Sequence, residues 1–349
     1  MTTGAAGGAD RLVLVPSGPP PAAPPRDAPV IRAGGRTMGT RWSVAACGPA
    51  IDERAIGRAA EGVFSKICRA MSHWDEGSEI CRFNAASAGT RHRLSEDFFA
   101  VLTAAADLAE ASGGAFDPGL LGASAAAGAA PPGTGSARAE EEQGRWRQLA
   151  LDPEGRSAMQ PGGLRLDLSG IAKGHAVDRL CEAVLAAGAD TVLAEIGGEF
   201  AGYGLKPDLS PWWVAAEAGG AAGAVAALHK GALATSGGVR RNAAGTQRRI
   251  SHVVPASGAE GNDLIVTVLH ETCSAADGWA SGARRRWRWG AGSRRAVRHR
   301  GAYPAWRRGA PAPHSGGTGV HRRLRTGKAP PRAAPQSPQC SSLPLPGPR

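Results

Sequence analysis

One twelve-residue segment, DLSGIAKGHAVD at 167–178, combines a turn, a helix start and a cation. Residues 164–168 are predicted as a strand that delivers Asp167, and Ser169-Gly170 turns the chain into a helix that ends near 187. The free N–H groups and the dipole of a helix start favour an anion, and Lys173 adds a positive charge in the first turn. The segment indicates phosphate binding, although it is no Walker motif and a capped surface helix fits the same residues.

Two further segments carry groups that suit phosphate and Mg²⁺ chemistry. In ATSGGVRR (234–241), Thr235 and Ser236 can present hydroxyl groups, and the two arginines can pair with phosphate. In CSAADGWAS (273–281), Asp277 and Ser281 are four residues apart, so a helix places them on one face. A carboxylate and a hydroxyl form a partial Mg²⁺ site that substrate phosphates can complete, although a solvated Asp with a Ser one turn later is the commoner arrangement.

A histidine and a tryptophan supply the remaining candidates. His252 lies in SHVV (251–254), and histidine is suited to proton transfer near neutral pH, although a lone histidine on a strand is more often structural. Trp74 lies in MSHWDEGSEICRFN (71–84) and can stack on a planar ring, with Ser78-Glu79 binding polar edges, or can belong to the core.

The elements that must position these groups mix helices and strands without regular alternation. Apolar periodicity and capping residues predict helices at 51–71, from Ser95 to Gly113-Gly114, at 170–187 and from about 275, the last capped by Ser274. Strands are predicted at 41–47, 164–168, 191–196, 212–216, 232–234, 249–254 and 264–269, and a loop at 122–138. This pattern predicts an α+β fold with mixed or antiparallel sheets and flanking helices rather than a doubly wound sheet.

The charge of the chain is concentrated in its last fifth. The 349 residues carry a net charge of +11, but residues 282–349 hold fifteen Arg, one Lys and no Asp or Glu. Residues 1–281 hold 25 basic and 30 acidic side chains, a net charge of −5. We therefore predict a disordered Gly/Pro-rich tail at 1–30, a folded domain at 31–281 and a disordered basic tail at 282–349.

Eight segments, in this order, resemble the FAD:protein FMN transferase (ApbE) family across roughly residues 31–281. They are TMGT (37–40), MSHWDEGSEICRFN (71–84), GGAFDP (113–118), DLSGIAKGHAVD (167–178), EIGGEFAGYG (195–204), ATSGGVRR (234–241), SHVV (251–254) and AADGWAS (275–281). The resemblance implies Mg²⁺-dependent transfer of FMN from FAD to a Thr or Ser hydroxyl of an acceptor protein, with release of AMP. It also implies that the acceptor offers a flexible Thr- or Ser-containing segment, and nucleic acid is not an expected partner.

The resemblance assigns roles to individual residues of this sequence. The flavin-nucleotide contacts that it implies are Met38, Trp74, Ala115, Phe116, Asp117, Ser169, Lys173, His175, Thr235 and Ser236. The implied metal ligands are the Asp277 carboxylate, the Ser281 hydroxyl in place of the family's usual Thr, and the backbone carbonyl of Ala172. His252 matches the base that deprotonates the acceptor.

The sequence departs from the family pattern at three places. HVVPASG (252–258) lacks the Asp of the family's H-x-x-D-P-x-T-G, and Glu195 and Glu199 stand where Asn and Asp are common. After Ser281 the family continues with an apolar helix and strands, whereas this chain becomes rich in Arg and Pro. We favour a shifted reading frame as the origin of 282–349, and the alternative is a genuine tail that binds nucleic acid or anionic lipid. An FAD-binding relative without turnover and an FAD pyrophosphatase are the alternative functions.

The sequence also bears on the compartment. No apolar run approaches the roughly 20 residues of a membrane-spanning helix, and the N-terminus shows neither a signal peptide nor a lipobox cysteine. The six cysteines contain no CxxC pair, which mildly favours a reducing compartment. We expect no transmembrane segment and favour the cytoplasm, although many members of the family are periplasmic lipoproteins.

Overall fold

The computed structural model describes residues 13–15, 21, 23–133, 142–216, 224–237, 240–241, 247–248 and 265–286, all within the unit Met1–Ala302. Its strands are β1 (Val13–Leu14), β2 (Ile31–Thr37), β3 (Thr40–Cys47), β4 (Arg91–Arg93), β5 (Ala150–Asp152), β6 (Ser157–Met159), β7 (Thr191–Ile196), β8 (Glu199–Tyr203), β9 (Trp212–Ala216), β10 (Ala224–Leu228), β11 (Lys230–Ser236), β12 (Arg240–Arg241), β13 (Gln247–Arg248) and β14 (Val266–His270). Its α-helices are α1 (Glu53–Met71), α2 (Glu79–Ala85), α3 (Glu96–Ala111), α4 (Leu121–Ala126), α5 (Ser169–Ala186) and α6 (Cys273–Arg286).

A six-stranded sheet forms the centre of the fold, in the order β14-β11-β8-β7-β3-β2. All neighbouring strands in it are antiparallel. Three smaller sheets are β1-β10-β9, β4-β6-β5 and β12-β13, and within the first of these β1 pairs with β10 in parallel. The expected α+β class with antiparallel sheets is confirmed.

Side-chain alternation buries both faces of the central sheet. On one face, Val192 and Ala194 pack in a large apolar cluster with residues of α1, α3 and α5. On the other face, Leu193 packs in a second cluster, which contains Trp212 and Leu228 of the sheet β1-β10-β9. Period-two alternation with apolar residues on both faces requires layers on both sides. α5 is consequently a central element of the core.

Local capping fixes where the helices begin. Asp52 accepts a hydrogen bond from Ala55 N–H (2.6 Å) at the start of α1, and Ser95 accepts one from Phe98 N–H (3.4 Å) at the start of α3. The helices predicted at 51–71, after Ser95 and at 170–187 are thus present as α1, α3 and α5. The strands predicted at 191–196 and 212–216 coincide with β7 and β9, and those at 41–47, 232–234 and 264–269 overlap β3, β11 and β14.

Three expectations about elements are corrected. Residues 164–168 form no strand, because the Asn84 side chain accepts a hydrogen bond from Leu166 N–H (2.7 Å) and donates one to Leu166 O (2.9 Å), in place of a neighbouring strand. The loop predicted at 122–138 begins inside α4. The last helix begins at Cys273, and Thr272 rather than Ser274 accepts from Ala275 N–H in its first turn (3.4 Å).

The structure bears on both ends of the predicted folded domain. Within the predicted tail 1–30, Val13–Leu14 forms β1, so this stretch contains a paired strand. α6 continues past Ser281 to Arg286. The strand predicted at 249–254 lies outside the described residues. None of the helices in the described ranges has the length and apolar character needed to cross a membrane.

Candidate active site

Two tight turns, β2–β3 and β7–β8, lie at one end of the central sheet. The β2–β3 turn consists of Met38 (φ 47°) and Gly39 (φ 72°), and the β7–β8 turn consists of Gly197 (φ 64°) and Gly198 (φ 102°). Positive φ at both central residues is typical of two-residue hairpins whose twist matches the sheet. A β-carbon at Gly197 would lie 2.9 Å from Cγ2 of Thr40, so the β7–β8 turn lies against the first residue of β3. Met38 therefore lies at the same end of the sheet as the turn into β8.

The start of α5 is fixed by the carboxylate of Asp167. It accepts hydrogen bonds from Ser169 N–H (2.9 Å) and from the Ser124 hydroxyl, and His73 Nε2 lies 3.3 Å from Oδ1. The Asp167 and His73 side chains are each 8% exposed. Burial opposes ionisation, but the contact with His73 and the hydrogen bonds from Ser124 and Ser169 together outweigh it and hold the pKa of Asp167 well below its usual range. The turn that presents Ser169 is thus tied to two other segments of the chain.

α5 and α6 approach each other closely at the candidate metal ligands. Gly174 N–H on α5 donates to Asp277 Oδ2 on α6 at 3.1 Å. One turn away, a β-carbon at Gly170 would lie 3.0 Å from Ser281 Oγ. Because glycine has no β-carbon, these two positions allow the α6 side chains to reach the backbone of α5. The close approach brings Asp277 and Ser281 beside the turn of α5 that contains Ala172.

The donor set at this junction suits Mg²⁺. Asp277 is 1% exposed, and its Oδ2 atom accepts the hydrogen bond from Gly174 N–H. Ser281 Oγ lies 3.2 Å from Ser236 Oγ. A carboxylate, a hydroxyl and the Ala172 carbonyl are oxygen ligands, and such a set leaves positions for phosphate oxygens. The described ranges hold no cluster of three His, Cys, Asp or Glu that could bind a metal. The junction therefore fits a Mg²⁺ ion shared with a phosphate ligand.

Lys173 places a cation between two carboxylates. Its ammonium group donates to Glu199 Oε1, and its Nζ atom is 3.9 Å from Asp277 Oδ2. The Lys173 side chain is 18% exposed and that of Glu199 only 2%. The contact joins the start of β8 to the first turns of α5. In the sequence, Glu199 stands out only as a departure from the family pattern, and the signal for its role is its position directly after the Gly197-Gly198 turn.

The GGAFDP segment packs onto the same helices. Phe116 is 6% exposed, and a β-carbon at Gly170 or at Gly282 would lie 3.4 Å and 3.1 Å from its side chain. Ala115 precedes it and is partly buried. Asp117 has a structural use, because its two oxygens accept hydrogen bonds from Gly119 N–H and Gly144 N–H, each at 2.8 Å. Phe116 is thus positioned at the α5–α6 junction, whereas Asp117 shapes the loop.

The segment after α1 presents an aromatic ring to solvent. Trp74 is 66% exposed, so the interpretation of this residue as core is wrong. Ser78 and Glu79, which the sequence suggested for binding polar edges, make contacts within the fold: Ser78 Oγ accepts from Cys81 N–H (3.2 Å) at the start of α2, and Glu79 Oε2 accepts from Ser95 N–H (2.8 Å). The accessible group of this motif is therefore the indole of Trp74.

His175 does not lie with Lys173. It is two residues further along α5, about 200° around the helix, and its Nε2 atom is 2.9 Å from Oδ1 of Asp97 on α3. The hydrogen bond to His175 is the main cause that lowers the pKa of Asp97. His175 therefore ties α5 to α3 within the fold.

Of the two hydroxyls in the ATSG segment, the structure brings one to the junction. Ser236 contacts Ser281, whereas the Thr235 hydroxyl lies 2.9 Å from that of Thr267 on β14. Neighbouring residues of a strand point to opposite faces of the sheet, so Thr235 lies on the other face. His252, the predicted base, lies outside the described residues.

Comparisons with known proteins agree with this geometry. The sequence profile of the ApbE family matches residues 38–283. The chain is 27% identical over 282 residues to the FAD:protein FMN transferase of Klebsiella pneumoniae (75% of this chain, 79% of that protein). It is 29% identical over 283 residues to the one of Haemophilus influenzae (74% and 81%). The flavinyl transferase ApbE of Pseudomonas stutzeri superposes with a TM-score of 0.63 at 28% identity, over 73% of this chain and 84% of that one. The chain belongs to the ApbE family.

Proposed function

We propose that this chain is a Mg²⁺-dependent FAD:protein FMN transferase that attaches FMN to a Thr or Ser hydroxyl of an acceptor protein and releases AMP. The observation that carries the proposal is the convergence of Asp277, Ser281 and Lys173 on the first turns of α5. The names of the curated relatives support FAD as donor and a protein as acceptor.

The residues of the junction would hold the pyrophosphate of FAD. The start of α5 offers N–H groups and a helix dipole to one phosphate, and Lys173 offers a positive charge to the other. Asp277, Ser281 and the Ala172 carbonyl would hold Mg²⁺, which would supply charge neutralisation to the pyrophosphate. Because Lys173 contacts both Glu199 and Asp277, its ammonium group has a fixed place between α5 and β8. Positioning and charge neutralisation are the main requirements of phosphoryl transfer.

The flavin half of FAD would meet aromatic surface. Phe116 packs beside Gly170 at the start of α5, and the exposed Trp74 ring is available for stacking. Met38 at the β2–β3 turn adds an apolar side chain at the same end of the sheet.

The acceptor hydroxyl would attack the phosphorus atom of the FMN half. Its oxygen forms the new O–P bond, the bond from that phosphorus to the bridging oxygen breaks, and the electron pair leaves with AMP. The hydroxyl proton needs a base, and we assign this role to His252 on the family resemblance and on the chemistry of histidine.

A single incubation tests the proposal against its alternatives. The protein is mixed with FAD, Mg²⁺ and a peptide that contains one Thr, and a peptide with Ala in that position is the control. Mass spectrometry of the Thr peptide should show added FMN, and chromatography should show an equal amount of AMP. Free FMN with AMP would indicate a pyrophosphatase, and bound FAD without products would indicate a binding protein.

A pair of substitutions tests the metal assignment. Asp277→Ala should abolish transfer, because it removes the only carboxylate among the proposed metal ligands. Asp208→Asn is the matched control, since it changes a carboxylate on the β8–β9 connection that is 64% exposed. Transfer at the wild-type rate in Asp277→Ala would refute this metal site.

A further inference from the structure

Asp178 makes a contact that the proposed chemistry does not use. It lies on α5 one turn after Gly174, and its two carboxylate oxygens accept hydrogen bonds from Cys273 N–H (2.8 Å) and Ser274 N–H (2.9 Å). These are the first two residues of α6. A carboxylate of one helix thus binds the free N–H groups at the start of another.

This contact completes a regular antiparallel ladder between α5 and α6. Its three rungs pair positions 170 with 281, 174 with 277, and 178 with 273. Each step moves four residues forward on α5 and four residues back on α6, which is about one turn of each helix. The first two rungs contain the proposed metal ligands Ser281 and Asp277. The third rung contains no ligand. It holds the first residues of α6, and Asp277 and Ser281 follow about one and two turns later on the same helix.

Asp178 differs from a local cap because it belongs to another helix. α6 already has a local cap, because Thr272 Oγ1 accepts from Ala275 N–H at 3.4 Å. The described residues also offer Asp178 no salt bridge, so its ionised form is held by the two N–H groups and the helix dipole. Burial raises the pKa of Asp178 to about 6, which shows that the ionised carboxylate is costly in this position. Thr272 serves only Ala275 N–H, so Asp178 is the partner of the first two N–H groups of α6, and because it lies on α5 this contact also fixes where α6 begins relative to α5.

We propose that Asp178 is a positioning residue that sets the register of α6 on α5 and thereby holds the Asp277 carboxylate beside the Ala172 carbonyl. The inference rests on the proposed function, because it concerns the Mg²⁺ site of that reaction. Without the third rung, the hydrogen bond from Gly174 N–H to Asp277 is the one polar contact left in the ladder. A single contact lets α6 slide or rotate along α5. The oxygen ligands then no longer converge at one point.

The test measures metal binding directly. Mn²⁺ is titrated into the full-length protein with FAD present, and free Mn²⁺ is counted by electron paramagnetic resonance. We expect Asp178→Ala to weaken Mn²⁺ binding by about 10- to 100-fold, the range found for residues that orient metal ligands. Asp178→Asn keeps one acceptor oxygen and nearly the same shape, so its loss should be smaller.

The matched control is Asp52→Ala, which removes a capping carboxylate from α1, where Asp52 accepts from Ala55 N–H at 2.6 Å. It should lower the melting temperature but leave Mn²⁺ affinity unchanged. In the transfer assay, the Asp178 variants should need more Mg²⁺ for half-maximal rate while kcat at saturating Mg²⁺ stays near the wild-type value. A residue with a merely structural role would lower the folded fraction without moving the Mg²⁺ requirement.

Each outcome decides a separate question. Wild-type Mn²⁺ affinity in folded Asp178→Asn and Asp178→Ala overturns the positioning role while leaving the metal site intact. An equal loss in Asp52→Ala also overturns it, because the effect would then be general. If the wild-type protein itself binds no Mn²⁺, the proposed metal site fails and the positioning role fails with it.

Discussion

The closest approach of the two site helices can be tested with one methyl group. A β-carbon at Gly174 would lie 2.3 Å from Cys273 O, 2.6 Å from Cys273 C and 2.8 Å from Ser274 N. All three are backbone atoms, so no side-chain rotation relieves the clash and α6 itself must move. Gly174→Ala therefore separates the helices at the rung that contains Asp277.

The sign of the stability change follows from opposing contributions. Alanine in place of glycine favours a helix by about 1 kcal/mol. Overpacking costs about 1–3 kcal/mol, and the lost hydrogen bond from Gly174 N–H to the Asp277 carboxylate costs about 1.5–3 kcal/mol. The net expectation is a loss of about 1.5–5 kcal/mol, with a raised Mg²⁺ requirement for transfer.

Gly62→Ala on α1 is the matched control. No heavy atom lies within 4 Å of a β-carbon at this exposed helix position, so the substitution should stabilise the protein by about 0.5–1 kcal/mol. Urea denaturation followed by circular dichroism measures both variants, and the transfer assay gives their Mg²⁺ dependence. If Gly174→Ala unfolds at the wild-type urea concentration or above and needs no extra Mg²⁺, the reasoning from close approach is refuted.

Three further predictions concern the same helices. Because burial raises the pKa of Asp178 from 3.8 to about 6, its ionisation costs the folded state up to about 3 kcal/mol. Wild type should be most stable relative to Asp178→Asn below about pH 4 and lose that advantage as the pH rises through 6, and a pH-independent difference in urea denaturation contradicts this. Asp167→Asn should cost about 3–5 kcal/mol above pH 4, since it removes the buried carboxylate that accepts from Ser124 and Ser169 and contacts His73. Because the folded pKa of Asp167 is lowered, this cost should begin to shrink as the pH falls below about 4 and shrink further as the pH approaches the folded pKa, and a series of thermal melts from pH 7 down to pH 2 checks it. Ser281→Thr should keep the Mg²⁺ requirement, whereas Ser281→Ala should raise it at least about tenfold, and equal requirements would exclude Ser281 as a ligand.

Local signals predicted the helices well because capping and periodicity depend on neighbouring residues. Ser95 followed by an apolar stripe identified α3, and the spacing of Asp277 and Ser281 placed both on one helical face. The strand predicted at 164–168 was wrong. Its apolar residues are typical of a strand, but the backbone of Leu166 is hydrogen-bonded to the Asn84 side chain instead of to a neighbouring strand. No local pattern reveals that a distant amide replaces a strand.

The site was predictable in composition but not in geometry. The sequence places Gly170, Gly174 and Asp178 at intervals of four, and this spacing shows only that they share one face of α5. Which helix packs on that face depends on the burial of both sides of the central sheet, which the whole chain determines. The same limit explains Thr235, whose position next to Ser236 conceals that a strand turns it to the opposite face.

The basic segment should be dispensable for metal binding, because every proposed ligand precedes it. The family profile ends at residue 283, and the first run of arginines begins at 284. A cut at 281 would remove Gly282, which lies against Phe116, so the informative truncation ends after Arg286. We expect this truncation to keep Mn²⁺ affinity and FMN transfer, and to lose any salt-dependent binding of RNA that the full chain shows. Loss of Mn²⁺ affinity would show that residues after 286 support the α5–α6 junction. It would contradict the division of the chain into an acidic catalytic domain and an independent basic tail.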